Sequence, residues 1–255
     1  MTDCLSGKTI LISGGSGRIG SAFCRAIVEH NGSVIIADIA QPRPGTFEHG
    51  LDSGRVFFVM SDVTHGDQLD IAIKAGVNKF GKIDAAVHCA YPTSDQWGAP
   101  FETLEPEGLN QDLGQQLGGA ILFSQRVIAH FVQQGFGQLI HVSSIQGIAA
   151  PKFWHYENTG MTSPIEYTAI KAGVIAITKY LAKLYSGRGL RINCISPGGI
   201  LDRQPNDFLE RYRSSCNSKG MLDADDLAGA LVFLLSDEAK FISGQNLVID
   251  DGWSL

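Results

Sequence analysis

Charge is scarce in this sequence of 255 residues: Asp, Glu, Lys and Arg together make up 18%, and the formal net charge is −6. The basic face that marks a nucleic-acid binder is therefore not expected. Long hydrophobic runs are missing too, since no stretch approaches the ~18 continuous apolar residues of a spanning helix, and no membrane partner is expected. The five cysteines (Cys4, Cys24, Cys89, Cys194, Cys216) are scattered and contain no C-x-x-C pair. Neither a disulfide framework nor a zinc site is indicated, and buried small hydrophobes is the better reading. The seven histidines are dispersed, with no two at ligand spacing beside a carboxylate, so no metal is expected. Met1-Thr2-Asp3-Cys4-Leu5 lacks the basic flank and apolar core of a signal peptide, which points to the cytoplasm.

What is present is a rhythm. Apolar residues make up 44% of the chain, enough for a generous core. Short apolar runs occur at Lys8–Ser13, Ser33–Asp38, Val56–Met60, Ile83–Cys89, Gln138–Val142, Leu190–Ile195 and Asn246–Ile249. Segments of helical spacing separate most of them: Ile19–His30, Gln68–Phe80, Gly119–Gln134, Glu166–Tyr185 and Asp225–Leu235. Alternation of this kind predicts an α/β fold, a doubly wound, seven-stranded parallel sheet flanked by helices. No composition shift divides the chain, so residues 1–255 are expected to form a single Rossmann-type domain. Segments 91–106 and 147–164, rich in Gly, Pro, Asn and aromatics, break the rhythm. Both are expected to be substrate-facing loops at the carboxyl ends of strands, where open α/β sheets hold ligands.

Chemistry-bearing residues collect at the same edge. Gly14, Ser16, Gly17, Arg18, Ile19 and Gly20 lie between the first strand and the first helix, where a glycine turn and a helix N-terminus can cradle a pyrophosphate. Asp38 ends the second strand and is placed to accept hydrogen bonds from a ribose and repel a 2'-phosphate, which favours NAD over NADP. Arg18 complicates this, because a guanidinium near that ribose welcomes a phosphate. Asp62 and Val63, after the third strand, read either as an adenine contact or as an ordinary strand-end turn. Ser144 ends the fifth strand, as a turn cap or as a donor to a substrate oxygen. Tyr167 and Lys171 are four apart at the head of a helix and share a face. A phenol with its pKa near 10 is a poor base at pH 7. Lowering it by about three units takes roughly 4 kcal/mol, which a nearby ammonium and a cofactor's positive charge can supply.

As an ordered set, the glycine turn, Asp38, Asp62, Ser144, Tyr167-x-x-x-Lys171, Arg191 to Gly199, and Gly244-Gln245 ahead of Asp250-Asp251-Gly252 resemble the short single-domain branch of the short-chain dehydrogenase/reductase family. The resemblance covers essentially the whole chain. It implies that Tyr167 is the general acid/base, Lys171 its pKa-lowering partner and ribose anchor, and Ser144 the donor to the substrate oxygen. It also implies that Cys89 and Ala90, with Pro197, Gly198 and Ile200, contact the cofactor. Departures accompany it. Arg18 stands where the family's middle glycine is common, and His88-Cys89-Ala90-Tyr91 replaces Asn-Asn-Ala-Gly. Gln116 replaces the asparagine of the proton relay, and Asp202 a threonine that often holds the carboxamide. The interval from Ser144 to Tyr167 is longer than is common and carries Lys152, Phe153, Trp154, His155, Tyr156, Glu157 and Asn158, a mixture suited to a sugar or polyol; a decorated surface loop is the alternative. The resemblance also implies a substrate loop at 199–220, where Arg203, Arg211 and Arg213 read either as anchors for a phosphate or carboxylate or as a solvated helix.

The segments Ala150–Pro164 and Ser196–Pro205 and the ending Asp250–Leu255 further resemble oxidoreductases found with bacterial flagellin-glycosylation and nonulosonic-acid genes. That resemblance implies a hexose or amino-sugar derivative, phosphorylated or not, as the small-molecule substrate. The expected activity is NAD(H)-dependent interconversion of an alcohol and a ketone. A nucleotide-sensing protein without turnover, and a sugar dehydratase or epimerase that recycles its cofactor, are the alternatives. Gly114, Gly118 and Gly119 permit close helix approach between subunits, and the family implies a homodimer or homotetramer.

Overall fold

The structure, a computed structural model, describes residues 3–43 and 54–255; Met1 and Thr2 of the N-terminal segment lie outside it. Seven strands form one parallel sheet: β1 (Thr9–Ser13), β2 (Ser33–Asp38), β3 (Val56–Met60), β4 (Ala85–His88), β5 (Gly137–Val142), β6 (Leu190–Pro197) and β7 (Asn246–Ile249). Their order is β3-β2-β1-β4-β5-β6-β7, so the chain winds one way from β1 to β3 and then returns to place β4 on the other side of β1. The reversal opens a crevice at the carboxyl ends of β1 and β4, where Ser13 pairs with His88.

Both faces of the sheet are covered, which is why its strands read as continuous apolar runs. In β1 and β2, Ile10, Ile12, Val34 and Ile36 join Phe23 and Ile27 of α1 (Arg18–Glu29) and Leu231 and Leu235 of the last helix on one side. Leu11 and Ile35, between them in sequence, face the opposite core, with Leu69 and Ile73 of α2 (Gly66–Phe80) and Phe123, Val127 and Phe131 of a central helix.

Helices are more extensive than the periodicity predicts. A helix not anticipated, α3 (Pro106–Asp112), begins with proline in its first turn. It continues through a π-helical stretch, Leu113–Gly118, into α4 (Gly119–Gln134). Gly114 and Gly118 are costly in a helix interior, yet the wider π turn carries the chain past them. The long helix α5 (Ile165–Leu184) follows Pro164, which is extended. Within the segment 199–220, expected to be a loop, lies α6 (Asn206–Ser214), and α7 (Ala228–Leu235) completes the set. No helix among the described residues is long and apolar enough to cross a membrane.

Candidate active site

A cleft of about 910 Å³ runs along the carboxyl ends of the strands. Its wall brings together every residue singled out for cofactor or catalysis except Gln116, namely the glycine turn, Asp38, Asp62, Val63, Cys89, Ala90, Ser144, Tyr167, Lys171, Pro197, Gly198 and Ile200. Gln116 is buried in the π-helical stretch with neither amide atom partnered among the described residues, while its neighbour Gln115 reaches the wall.

One end of the cleft is built for a dinucleotide. At Gly20 a Cβ would lie 2.2 Å from the Gly14 carbonyl oxygen, so only glycine lets the turn fold onto α1. The N-cap of α1 is Gly17, with no side chain to satisfy the helix's first N–H groups, which remain available to an anion. Asp38 is oriented by two backbone donors, Ser16 N–H at 2.9 Å and Ala40 N–H at 3.1 Å. Asp62 accepts from Thr64 N–H at 2.9 Å and Thr64 Oγ1 at 2.7 Å. Burial alone would raise its pKa, but these bonds, with His65 beside it, hold it below the ordinary value. Ser61 Oγ, buried just after β3, has no partner among the described residues. These residues fit a nicotinamide dinucleotide. Arg18 is turned across the groove instead, donating to the Leu201 carbonyl at 2.9 Å and pairing with Asp202.

At the centre, α5 is pinned to the end of β5. Ser143 Oγ donates to the Lys171 carbonyl at 2.7 Å, and Lys171 Nζ donates to the Val142 carbonyl at 3.1 Å. Ser144 caps the 3₁₀ turn Ile145–Gly147, its Oγ accepting from Gln146 N–H at 3.1 Å, so the cap reading holds while the same hydroxyl faces the cleft. The turn packs against α5 so closely that a Cβ on Gly147 would sit 2.7 Å from the Lys171 carbonyl carbon. Burial lowers the Lys171 pKa to about 8. Burial raises the Tyr167 phenol, and the Ser144 hydroxyl pulls it part of the way back. The sequence predicts a lowered phenol. In the chain alone burial outweighs the bond to Ser144 and keeps it raised, with the Lys171 ammonium over the Tyr167 ring, 5.5 Å from its centroid.

Beneath this pair, His88 and His141 are buried and held neutral. Burial is the main cause for both, putting His141 at about 4 and His88 well below its ordinary value. Burial pushes Cys89 up to about 12 and Cys194 up to about 11, so both thiols stay protonated and inert at neutral pH.

The far end of the cleft departs most from the sequence expectation. Of the long insert, Tyr156, Met161 and Thr162 reach the wall. Phe153 and Trp154 are exposed away from it, and His155 is buried, bonded to Ser215 Oγ at 3.0 Å and packed on Phe208, Tyr212 and Trp253. None of Arg203, Arg211 and Arg213 lines the cleft: Arg211 instead donates to the carbonyls of Trp154 and Glu157, tying α6 to the insert. The wall is made by Phe208 and Tyr212 of α6, Met221 and Trp253. Tyr212 stacks on Trp253 at 5.8 Å, and its hydroxyl accepts from Gly199 N–H at 2.6 Å. Lys152 fixes the other side of Trp253, donating to its carbonyl at 2.9 Å with Nζ 4.7 Å above its ring. Sequence reasoning missed these aromatics, which come from segments without any periodic signal. Nearer the centre, Tyr91 and Trp97 stand edge-on to Tyr167, each at 5.9 Å.

A family model described as enoyl-(acyl carrier protein) reductase matches residues 15–254. With the parallel sheet and the cleft, this makes the chain a member of the short-chain dehydrogenase/reductase family, an oxidoreductase that uses a nicotinamide cofactor and a small-molecule substrate. Among particular relatives, it is 43% identical over 255 residues to the post-translational flagellin modification protein A of Campylobacter coli, covering 98% of this chain and 100% of that one. It is 31% identical over 254 residues to the 3-oxoacyl-[acyl-carrier-protein] reductase FabG of Thermotoga maritima, covering 97% and 98%. A short-chain dehydrogenase from Leptospira borgpetersenii, solved with bound NAD+, superposes with a TM-score of 0.88 at 31% identity, covering 98% of this chain and 94% of that one.

Proposed function

We propose that this enzyme, working as one Rossmann-type domain, interconverts an alcohol and a ketone on a sugar-like substrate with NAD(H), in bacterial surface-glycan or flagellin-glycan biosynthesis. The observation that carries it is the meeting of Ser144, Tyr167 and Lys171 in one wall beside the dinucleotide groove. When bound, the nicotinamide supplies or takes up hydride at the carbinol carbon. Tyr167 exchanges the proton of the substrate oxygen and Ser144 donates a hydrogen bond to that oxygen. The charge of Lys171 favours the phenolate. Gln116 is the proposed counterpart of the asparagine of the proton relay, a reading supported by its buried amide, which has no partner among the described residues.

Asp38 supports NAD over NADP, and the pairing of Arg18 with Asp202 and Leu201 keeps that guanidinium off the Asp38 carboxylate. The sugar-like substrate, amino-sugar and phosphorylated forms included, is supported by the similarity to the Campylobacter coli flagellin modification protein. The protein is proposed to be a cytoplasmic homodimer or homotetramer.

Replacing Tyr167 by Phe is expected to lower turnover by on the order of 10² or more, with NAD affinity nearly intact, measured on a panel of sugars and sugar phosphates by NADH formation. Full turnover in that variant overturns the assignment.

A further inference from the structure

We propose that Tyr91 is a positioning residue for Lys171: its ring, set at right angles beside that of Tyr167, forms with it an aromatic clamp that keeps the lysine charged within the cleft wall. This rests on the role proposed above for Lys171.

Lys171 Nζ lies 5.4 Å from the centroid of Tyr91 and 5.5 Å from that of Tyr167. An ammonium has three N–H donors, and among the described residues this one has a single hydrogen-bond acceptor, the Val142 carbonyl. Lys171 is 8% exposed, so water contributes little. The cysteines and histidines around it bring no negative charge near neutral pH. His88 on β4 and Cys89 just after it, His141 on β5 and Cys194 on β6 are all neutral there. Burial, the Tyr167 phenol and the carboxyl groups of Asp112 and Glu166 all favour the uncharged phenol of Tyr91. The negative π faces of the two tyrosines are thus the main remaining partners of a desolvated cation.

Two neighbouring rings brace Tyr91, which is 45% exposed. Tyr91 meets Trp97 at 5.3 Å and 85°, and Tyr167 at 5.9 Å and 87°, while Trp97 meets Tyr167 at 5.9 Å and 83°. Three mutually perpendicular rings set positive edges against negative faces, which favours the orientation that keeps the Tyr91 ring beside Lys171.

The test compares Tyr91→Phe, which keeps the π face, with Tyr91→Leu, which keeps bulk and removes it. Each full-length protein is labelled with lysine carrying 13C at Cε, and the Lys171 signal, identified by its loss in Lys171→Met, is followed against pH by NMR. The Leu variant is expected to lower the Lys171 midpoint by roughly half a pH unit or more, and the Phe variant to leave it in place. Tyr91→Met carries the same expectation as Leu where the Leu variant does not fold. The alkaline limb of kcat/KM for the cofactor, which reports the free enzyme, is expected to move down in Leu and stay in Phe. Midpoints that are the same in all variants, or that move equally in Phe and Leu, overturn the clamp. A parent protein without turnover on any alcohol or ketone, but with a midpoint that moves only in Leu, overturns the catalytic assignment and leaves the clamp standing.

Discussion

Asp38 and Lys171 show how much of a residue's function is set by its neighbours. The Asp38 carboxylate is aimed by the Ser16 and Ala40 N–H groups, so its charge sits at a fixed point of the groove. Asp38→Ala is expected to raise the ratio of kcat/KM for NADP to that for NAD by on the order of 10-fold, measured by initial rates with each cofactor. Lys171 has a folded pKa of about 8, below that of a free lysine. Its unfolded form therefore binds more protons between about pH 8 and 10.5, and folding stability gains with pH across that window. Below it, the buried charge costs stability in full. Lys171→Met is accordingly expected to raise Tm at pH 7 by on the order of 2 °C, to lose that advantage near pH 10.5 in circular-dichroism melts, and to abolish turnover. Tyr167, Lys171 and Ser144 were legible in the sequence because a four-residue helical spacing and a strand end fix where they go. Phe208, Tyr212, Met221 and Trp253 were not, since they gather by tertiary packing from a short polar helix, a loop and the last residues of the chain.

Among elements, the contact between the Ile145–Gly147 turn and α5 governs the site most directly. A methyl group at Gly147 would strike the Lys171 carbonyl carbon at 2.7 Å and its oxygen at 2.8 Å, and backbone cannot yield as a side chain does. Gly147→Ala is expected to cost about 1–3 kcal/mol of stability, read by urea unfolding, and to lower kcat by displacing Ser144 from Tyr167. The strands were legible as apolar runs, with β1 to β3 and β7 close to their predicted ends. Less legible were α3 and the π-helical stretch, where Gly114 and Gly118 masked helix continuity. Equally hidden was α6, whose nine residues Asn206–Ser214 carry a buried face of only Phe208 and Tyr212, too short to read as a periodic pattern.

At the scale of the whole molecule, α4 and α5 leave large apolar side chains in solvent: Ile121 and Val132 on one, Ile165, Tyr180 and Leu184 on the other. Such surface is what a second copy covers. Light scattering is expected to give at least twice the mass of the chain, and Ile121→Glu combined with Tyr180→Glu to give the single-chain mass. The groove itself is bridged by the Arg18–Asp202 pair, half exposed on both sides. A bridge of opposite charges in solvent is screened by salt, whereas the buried centre behind it is not. Nucleotide exchange through the groove is therefore expected to quicken as salt rises, while the proton step proposed for Tyr167 is expected to keep its own pace.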